Sequence, residues 1–212
     1  MVYLKHEIEE LPRVKKLKLI NALSGIKPAN LIGTVSEKGI PNLAIFSSVF
    51  HLGSNPALMG FIVRPTSEAP RHTYANICKT EYFTINHVNS SFYRNAHYTS
   101  AKFPESISEF DSCGLTESYE ANFLAPFVKE SSFKIGLKFE ERIEIKKNNT
   151  ILVIGEVHYI NIPDQFDNNE IDLSEINGVG ISGLNSYYEL KLLDRLPYAR
   201  VHEVPNFNLE NI

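Results

Sequence analysis

The segment from Arg64 to Thr73 holds the densest group of side chains that could bind a phosphate. Pro70 favours a helix that starts directly after it, and a helix N-terminus offers unpaired N–H groups and a positive dipole end. Arginine guanidinium groups match phosphate oxygens in a bidentate fashion. The spacing therefore predicts an anion site, while an ordinary polar connection with surface arginines is the alternative. The side chains concerned are Arg64, Thr66, Ser67, Arg71, His72 and Thr73.

A second candidate lies in the apolar run from Asn42 to Phe50, which two small hydroxyl residues, Ser47 and Ser48, interrupt. In a strand, such an interruption indicates a bulge or a place where a flat heteroaromatic ring lies against the backbone. A strand end at which both serines simply face water explains the pattern equally well. The pattern alone leaves these interpretations open.

The remaining chemistry-bearing residues predict neither a catalytic side chain nor a metal site. The seven histidines are scattered without metal-ligand spacing, and Cys78 and Cys113 form no CxxC pair. Residues 178–183 match the GxGxxG pattern of dinucleotide-binding folds, but residues 172–177 before them are polar and only 29 residues follow. We interpret these glycines as a loop that turns tightly or lets another backbone approach.

Length and composition indicate one globular domain over residues 1–212. The chain carries 21 Lys and Arg against 25 Asp and Glu, so its net charge of −4 gives no general attraction for nucleic acid. The N-terminal residues 1–20 mix acidic and basic side chains, and no stretch has the roughly 20 apolar residues that a membrane span needs. We therefore expect a cytoplasmic protein without a nucleic-acid or membrane partner.

Hydrophobic patterning predicts many strands and few helices. Short connections between the first three strands favour an antiparallel meander, and a closed β-barrel is favoured because closure removes exposed strand edges. We place the barrel core at about residues 30–165, with residues 166–212 packing on it or on a second subunit. The predicted strands are 31–35, 40–50, 57–63, 81–88, 133–146 and 150–160, and the predicted helices are 11–23, 71–79 and 91–101.

Taken in order, several of these segments resemble the flavin reductase-like family. The resemblance spans about residues 30–200, and it rests on the collinear series rather than on any single motif. Two later segments, residues 108–111 and 183–188, also look like parts of that family. The series consists of Asn42–Phe50, the turn at Gly53–Leu58, Arg64–Thr73 and Thr80–Asn86.

The resemblance implies an FMN-binding split β-barrel of the antiparallel Greek-key type, usually a homodimer, that passes hydride from NADH or NADPH to bound flavin. It implies no catalytic acid, base or nucleophile, because the protein has mainly to position the flavin and the nicotinamide. Carried over by motif position, residues along the flavin ring are Ala44, Ile45, Phe46, Ser47 and Ser48. Those in the phosphate region are Arg64, Ser67, Arg71, His72 and Thr73, with Asn86 and Ser100 nearby.

Two other functions fit the same resemblance. One is a flavin-binding module that stores or carries electrons without accepting hydride from a nicotinamide. The other is a split-barrel oxidase for a pyridoxine-like phosphate, which ranks last because no second cluster of basic residues is found for a substrate phosphate. The sequence carries no signal for or against a partner monooxygenase.

Overall fold

The structure, a computed structural model, describes residues 1–166 and 170–205. The helices are α1 Lys5–Glu10, α2 Arg13–Leu23, α3 His72–Thr80, α4 Tyr93–Tyr98 and α5 Glu109–Ser112, with 3₁₀ turns at Asp164–Phe166 and Val201–Glu203. The strands are β1 Lys27–Pro28, β2 Asn30–Val35, β3 Pro41–Phe46, β4 Phe50–Ser54, β5 Ala57–Val63, β6 Tyr82–His87, β7 Glu117–Ser118, β8 Phe127–Val128, β9 Lys134–Ile145, β10 Thr150–Asn161, β11 Val179–Ser182 and β12 Ser186–Glu189.

Seven strands form the main sheet, in the antiparallel order β3-β2-β6-β9-β10-β5-β4. β3 and β4 lie at opposite ends of this order, although only residues 47–49 separate them along the chain. The sheet must therefore curl until its two ends meet. This confirms the predicted mostly β, antiparallel barrel.

The predicted strand from residue 40 to residue 50 is wrong, because the chain breaks it at Ser47 and Ser48. The first half pairs with β2 and the second half pairs with β5, so the predicted three-stranded meander is two separate hairpins. The predicted helix at residues 91–101 is also shorter than expected: it begins after Phe92 and ends at Tyr98.

The barrel interior is a continuous apolar core. Alternate residues of the strands point into it, among them Ile32, Phe61, Phe83 and Leu137, all with no exposed surface. Helix α3 covers one side of the interior and contributes Ile77 to the same core. Burying such side chains is the main source of stability in a fold of this kind.

A second layer covers part of the outer face of the barrel. Leu43 on β3 packs with Ala96 of α4 and Phe110 of α5 in a separate apolar cluster. The long segment 116–130 continues this layer over β6 and the first half of β9, and Gly136 makes room for it, because a Cβ there would lie 2.8 Å from the Phe123 ring.

Glu120 fastens that long segment to the barrel. Its carboxylate accepts hydrogen bonds from Tyr159 at 2.7 Å and Asn161 at 2.8 Å, and it pairs with the mostly buried ammonium group of Lys134. Burial alone would raise the pKa of Glu120, but these donors outweigh it and lower that pKa to about 2.

Gly180 lies within a short strand, β11, which the sequence did not predict, whereas Gly183, with a φ of +61°, lies in the tight turn between β11 and β12, as the sequence predicted. β11 pairs with β1 on one side and β12 on the other. The expected approach of another backbone is present at Gly178, where a Cβ would lie 2.9 Å from the Leu173 carbonyl oxygen, and a Cβ on Gly180 would lie 2.2 Å from the side chain of Ile26.

The terminal parts of the chain contribute little to the core. The predicted N-terminal helix is confirmed as α2, but neither it nor α1 buries a side chain. None of the helices in the described residues is both long and apolar enough to cross a bilayer. The single-domain prediction includes residues 167–169 and 206–212, which lie outside the described part, and it stays a prediction.

His87 should make the stability of the protein depend on pH. Its ring stacks on Phe133 at 4.5 Å, and burial lowers its pKa from 6.5 to about 4. Between pH 6.5 and pH 4, His87 is therefore protonated in the unfolded chain but not in the folded chain. The free energy of unfolding consequently falls as the pH drops from 6.5 towards 4.

Urea unfolding at pH 7 and pH 5 measures this effect. We expect the wild type to lose up to about 2 kcal/mol through His87 over that interval, at about 1.4 kcal/mol per pH unit below pH 6.5. His87→Gln should show a correspondingly smaller loss. An equal loss in both proteins would mean that His87 does not control this dependence.

Candidate functional site

The first turn of α3 is an open N-terminus. Arg71 occupies the N-cap position and makes no side-chain cap, and the first helical hydrogen bond runs from the Ala75 amide to the Arg71 carbonyl at 2.9 Å. Within the described residues, the amides of His72, Thr73 and Tyr74 have no acceptor. Free amides at a helix N-terminus attract anions, since the helix dipole is positive there.

Arg71 adds a cation with an unused donor to this turn. Its Nε is buried, and no acceptor for it exists in residues 1–166 or 170–205. Arg64 is exposed and forms no ion pair with any described side chain, and Ser67 lies in the exposed turn between β5 and α3. A buried donor without a partner costs free energy, so this corner suits an anion that would accept its hydrogen bond.

Hydrogen bonds fix the start of α3 against the barrel. The Asn42 amide donates to Thr73 Oγ1 at 3.1 Å, and the Asn76 amide donates to Thr34 Oγ1 at 3.1 Å. All four residues are buried. The anion-attracting turn is therefore held rigidly beside the start of β3.

β3 has one free edge beside this corner. The Leu43 amide points away from β2, because it donates to Glu109 Oε2 at 2.9 Å. Since backbone groups alternate in direction along an antiparallel strand, Ile45 presents both its N–H and its C=O at the same free edge. The edge thus offers a donor and an acceptor side by side at Ile45, two residues beyond Leu43, whose amide is bonded to Glu109.

Glu109 is itself a buried carboxyl group, only 6% exposed. Burial raises its pKa, while the Leu43 N–H and the nearby His72 act in the opposite direction. No sequence pattern indicated a role for Glu109 or Asn42 at the site. Both lie in segments that carry the family resemblance, but their contacts depend on long-range pairing that no local pattern shows.

The side chains along β3 alternate as expected. Ala44 and Phe46 face the barrel interior, where Phe46 packs edge-on against Phe61 at 5.0 Å, and Ile45 faces the outer layer. Directly across from Phe46, Asn30 on β2 is 1% exposed, and its Oδ1 has no partner in the described chain. No sequence pattern indicated this unpaired acceptor.

Ser47 and Ser48, which looked alike in sequence, have different surroundings. Ser48 Oγ accepts a hydrogen bond from the Ile62 amide at 3.1 Å and donates one to the Ile62 carbonyl at 3.2 Å. Ser47 makes no side-chain hydrogen bond to any described residue. Beyond them, the exposed His51 on β4 contacts Ser54 at 3.2 Å.

Two candidate residues, Asn86 and Ser100, form no hydrogen bond with the site residues on α3 and β3. Asn86 is fully buried and donates to the Leu31 carbonyl and to Thr84, while it accepts from the Val128 amide at 2.9 Å. Its polar atoms hold the long segment to the barrel, so a role in ligand binding is not needed to explain them. Ser100 is exposed at the end of α4 and donates to the His97 carbonyl.

Comparisons with known proteins agree on one family. The family model described as "Flavin reductase like domain" matches residues 25–176. A structure from Shewanella frigidimarina, assigned provisionally as a flavin reductase with a split barrel domain, is 47% identical, with 94% of this chain and 100% of that chain covered and a TM-score of 0.89.

Two more distant structures share the fold. Nitrilotriacetate monooxygenase component B from Bacillus cereus is 19% identical, with 92% of this chain and 98% of that chain covered and a TM-score of 0.83. Flavoredoxin of Desulfovibrio vulgaris is 23% identical, with 82% and 92% covered and a TM-score of 0.72. The predicted split barrel is therefore confirmed.

The two serines give a matched pair of substitutions. Ser48→Ala should lower the free energy of unfolding by about 1–3 kcal/mol, because it removes the partner of the Ile62 amide. Ser47→Ala should stay within about 0.5 kcal/mol of the wild type, as expected for a site without such a bond. Urea unfolding measures both, and equal stabilities of the two variants would contradict this assignment.

Proposed function

Because the chain belongs to the flavin reductase-like domain family, we propose that it is an FMN-dependent oxidoreductase that transfers hydride from NADH or NADPH to bound flavin. The observation that carries this proposal is the buried Nε of Arg71, which lacks an acceptor in the described chain and lies at an open helix N-terminus. The residues present fit a flavin that ends in a phosphate.

The terminal phosphate of FMN is the part that the first turn of α3 would bind. The free amides of His72 and Thr73 and the guanidinium group of Arg71 would donate to its oxygens, with Arg64 and Ser67 close along the chain. Several donors that converge on one point suit a terminal phosphate, which offers three oxygens and close to two negative charges. This supports FMN in preference to FAD.

The ring would lie along β3, as the family resemblance implies. The pyrimidine edge of an isoalloxazine presents acceptors on both sides of one N–H donor, and Ile45 offers an N–H and a C=O at the free edge of β3. Rigid backbone groups of this kind position a planar ligand without a side-chain rearrangement. Ser47, whose hydroxyl group is unused within the described chain, would add a donor at the same end.

FMN, when bound, supplies the ring that accepts the hydride. The task of this chain is to bind, orient and cover it. The Asn42–Thr73 hydrogen bond keeps the phosphate corner at a fixed position relative to β3. No acid or base is required for this role, which agrees with the absence of a predicted catalytic residue.

A flavin-binding electron carrier is the second candidate. It is favoured by the likeness to a protein named flavoredoxin, although at 23% identity that likeness shows the fold alone. A carrier would bind FMN at the same corner but would not be reduced by a nicotinamide. An experiment on FMN binding therefore cannot distinguish the two functions, whereas reduction of the bound FMN by a nicotinamide can.

We also propose that the protein is a homodimer, as the family resemblance implies. A separate monooxygenase that consumes reduced flavin is a further proposal, supported by the likeness to a protein named as component B of a monooxygenase.

Anaerobic mixing tests the hydride transfer. FMN-loaded protein should lose its blue absorbance when NADH or NADPH is added, and the loss should be faster than for free FMN at the same concentration. A spectrum that neither nicotinamide changes, together with normal bleaching by dithionite, would favour the electron carrier.

Substitution of Arg71 tests the phosphate corner. Arg71→Ala should weaken FMN binding by about 1.5–3 kcal/mol through loss of a charge-assisted hydrogen bond, which is about a 10- to 150-fold rise in Kd. Riboflavin, which lacks the phosphate, should bind equally to both proteins. Arg94→Ala, at an exposed arginine on α4, is the control, and unchanged FMN affinity of Arg71→Ala would remove Arg71 from the site.

A further inference from the structure

Glu109 is a buried carboxyl group to which the proposed function gives no role. Only 6% of the residue is exposed, and its Oε2 accepts a hydrogen bond from the Leu43 amide at 2.9 Å. It is the first residue of the short helix α5, which packs along β3. Burying a carboxyl group without an ion pair costs free energy, so stability alone does not account for its presence.

This carboxyl group has no basic side chain to neutralise it. Among residues 1–166 and 170–205, no Lys, Arg or His forms an ion pair with it. Its electrostatic neighbours include His72 at the start of α3 and Cys113 directly after α5. Because an N–H group donates more strongly to a carboxylate than to a neutral carboxyl group, the bond from Leu43 favours the charged form. Glu109 thus places a negative charge without an ion-pair partner at the outer edge of β3.

Strand geometry places this charge beside the free groups of Ile45. Three residues of β3 direct their backbone groups to the outer edge, namely Pro41, Leu43 and Ile45. Pro41 has no N–H, and the Leu43 amide is bonded to Glu109, so Ile45 carries the one free amide on this edge within the described chain. Residues two apart along a strand are about 7 Å apart. A ligand bonded to Ile45 would therefore lie about 7 Å from the carboxylate of Glu109.

Reduction changes the charge of a flavin ring held at Ile45. A hydride brings two electrons and one proton, so the neutral ring gains one negative charge while the nicotinamide that donates the hydride is oxidised. That charge lies mainly beside the pyrimidine edge, which the proposed function places at Ile45. Two unit charges about 7 Å apart, at an effective dielectric constant of about 20, change an equilibrium constant by about 50-fold. A carboxylate at this distance therefore disfavours the reduced ring and has little effect on the neutral oxidised ring.

We infer that Glu109 holds a negative charge beside the ring and thereby weakens the binding of reduced flavin relative to oxidised flavin. In electrochemical terms, Glu109 lowers the reduction potential of the bound flavin. The inference deepens the proposed function and rests on it for the position of the ring. Its consequence is a protein that gives up reduced flavin, or the electrons of that flavin, more readily than the same fold without this carboxylate.

Potentiometric titration of the FMN-saturated full chain tests the inference. Dithionite reduces the protein stepwise beside a reference dye, without a nicotinamide, and the potentials of bound and free FMN give the ratio of the Kd for reduced FMN to the Kd for oxidised FMN. Glu109→Gln keeps the length of the side chain and a carbonyl acceptor for the Leu43 amide but removes the charge. It should lower this ratio at least about 10-fold, which raises the potential of a two-electron couple by about 30 mV or more.

Asp111→Asn is the matched control. It removes the same charge from the same helix, but at an exposed side chain that water screens, so the ratio should stay within about twofold of the wild type. An effect of either substitution on the phosphate corner cancels in the ratio, because the charge of the phosphate is the same in both oxidation states of the flavin.

Circular dichroism identifies a variant that fails to fold, and Glu109→Ala, which also removes the charge, then decides by the same titration. Equal ratios in the wild type and in folded Glu109→Gln would overturn the inference, as would equal shifts in Glu109→Gln and Asp111→Asn. A wild type that does not bind FMN would contradict the proposed function and the inference together. Bound FMN that neither nicotinamide reduces, with the expected shift in Glu109→Gln, would support the inference and contradict the proposed hydride transfer alone.

Discussion

The hydrogen bonds between Ser48 and Ile62 are the interaction on which the rest of the structure depends. They let the chain leave β3 and join β5 within three residues, so that the two ends of the sheet meet. A strand that continued in register past Phe46 would keep the sheet open and would leave the barrel interior in water. Because the chain turns there, the outer edge of β3 is not paired with any strand of the described residues, and it is the edge that the proposed flavin would contact.

The first turn of α3 has free amides because the N-cap position lacks a residue whose side chain could accept their hydrogen bonds. An arginine in place of a Ser, Thr, Asp or Asn at the N-cap leaves the first amides of the helix without a side-chain acceptor. The cost of that omission is acceptable only if another acceptor completes the turn. The same reasoning applies to the Arg71 Nε, which is buried beside those amides without a partner in the described residues.

Local patterns predicted most of the strands and helices, because strand alternation and helix starts are local properties. The bounds of β5 and of the β9–β10 hairpin agree with the sequence almost residue by residue. What the sequence did not show depends on contacts between distant segments. Ser48 is distinguished from Ser47 by its hydrogen bonds to Ile62, and Glu109 is placed at the site by its hydrogen bond to Leu43. The burial of Asn86 is explained by its hydrogen bonds to Leu31, Thr84 and Val128. The spacing of residues 64–73 indicated the corner at α3, and the individual contacts around it are visible only in the structure, while the role of these residues in ligand binding stays a prediction.

The carboxyl group of Glu109 has a consequence for selectivity. At an unpaired strand edge, every second residue presents the same pair of groups, one N–H and one C=O. A planar ligand could therefore bind such an edge in several registers with similar affinity. Glu109 excludes one of these registers because its carboxylate already accepts the hydrogen bond of the Leu43 amide. On the other side, β3 ends before Ser47, so no further register is available there. One position is left, centred on Ile45, so a flavin held at α3 as proposed would have a single register along β3.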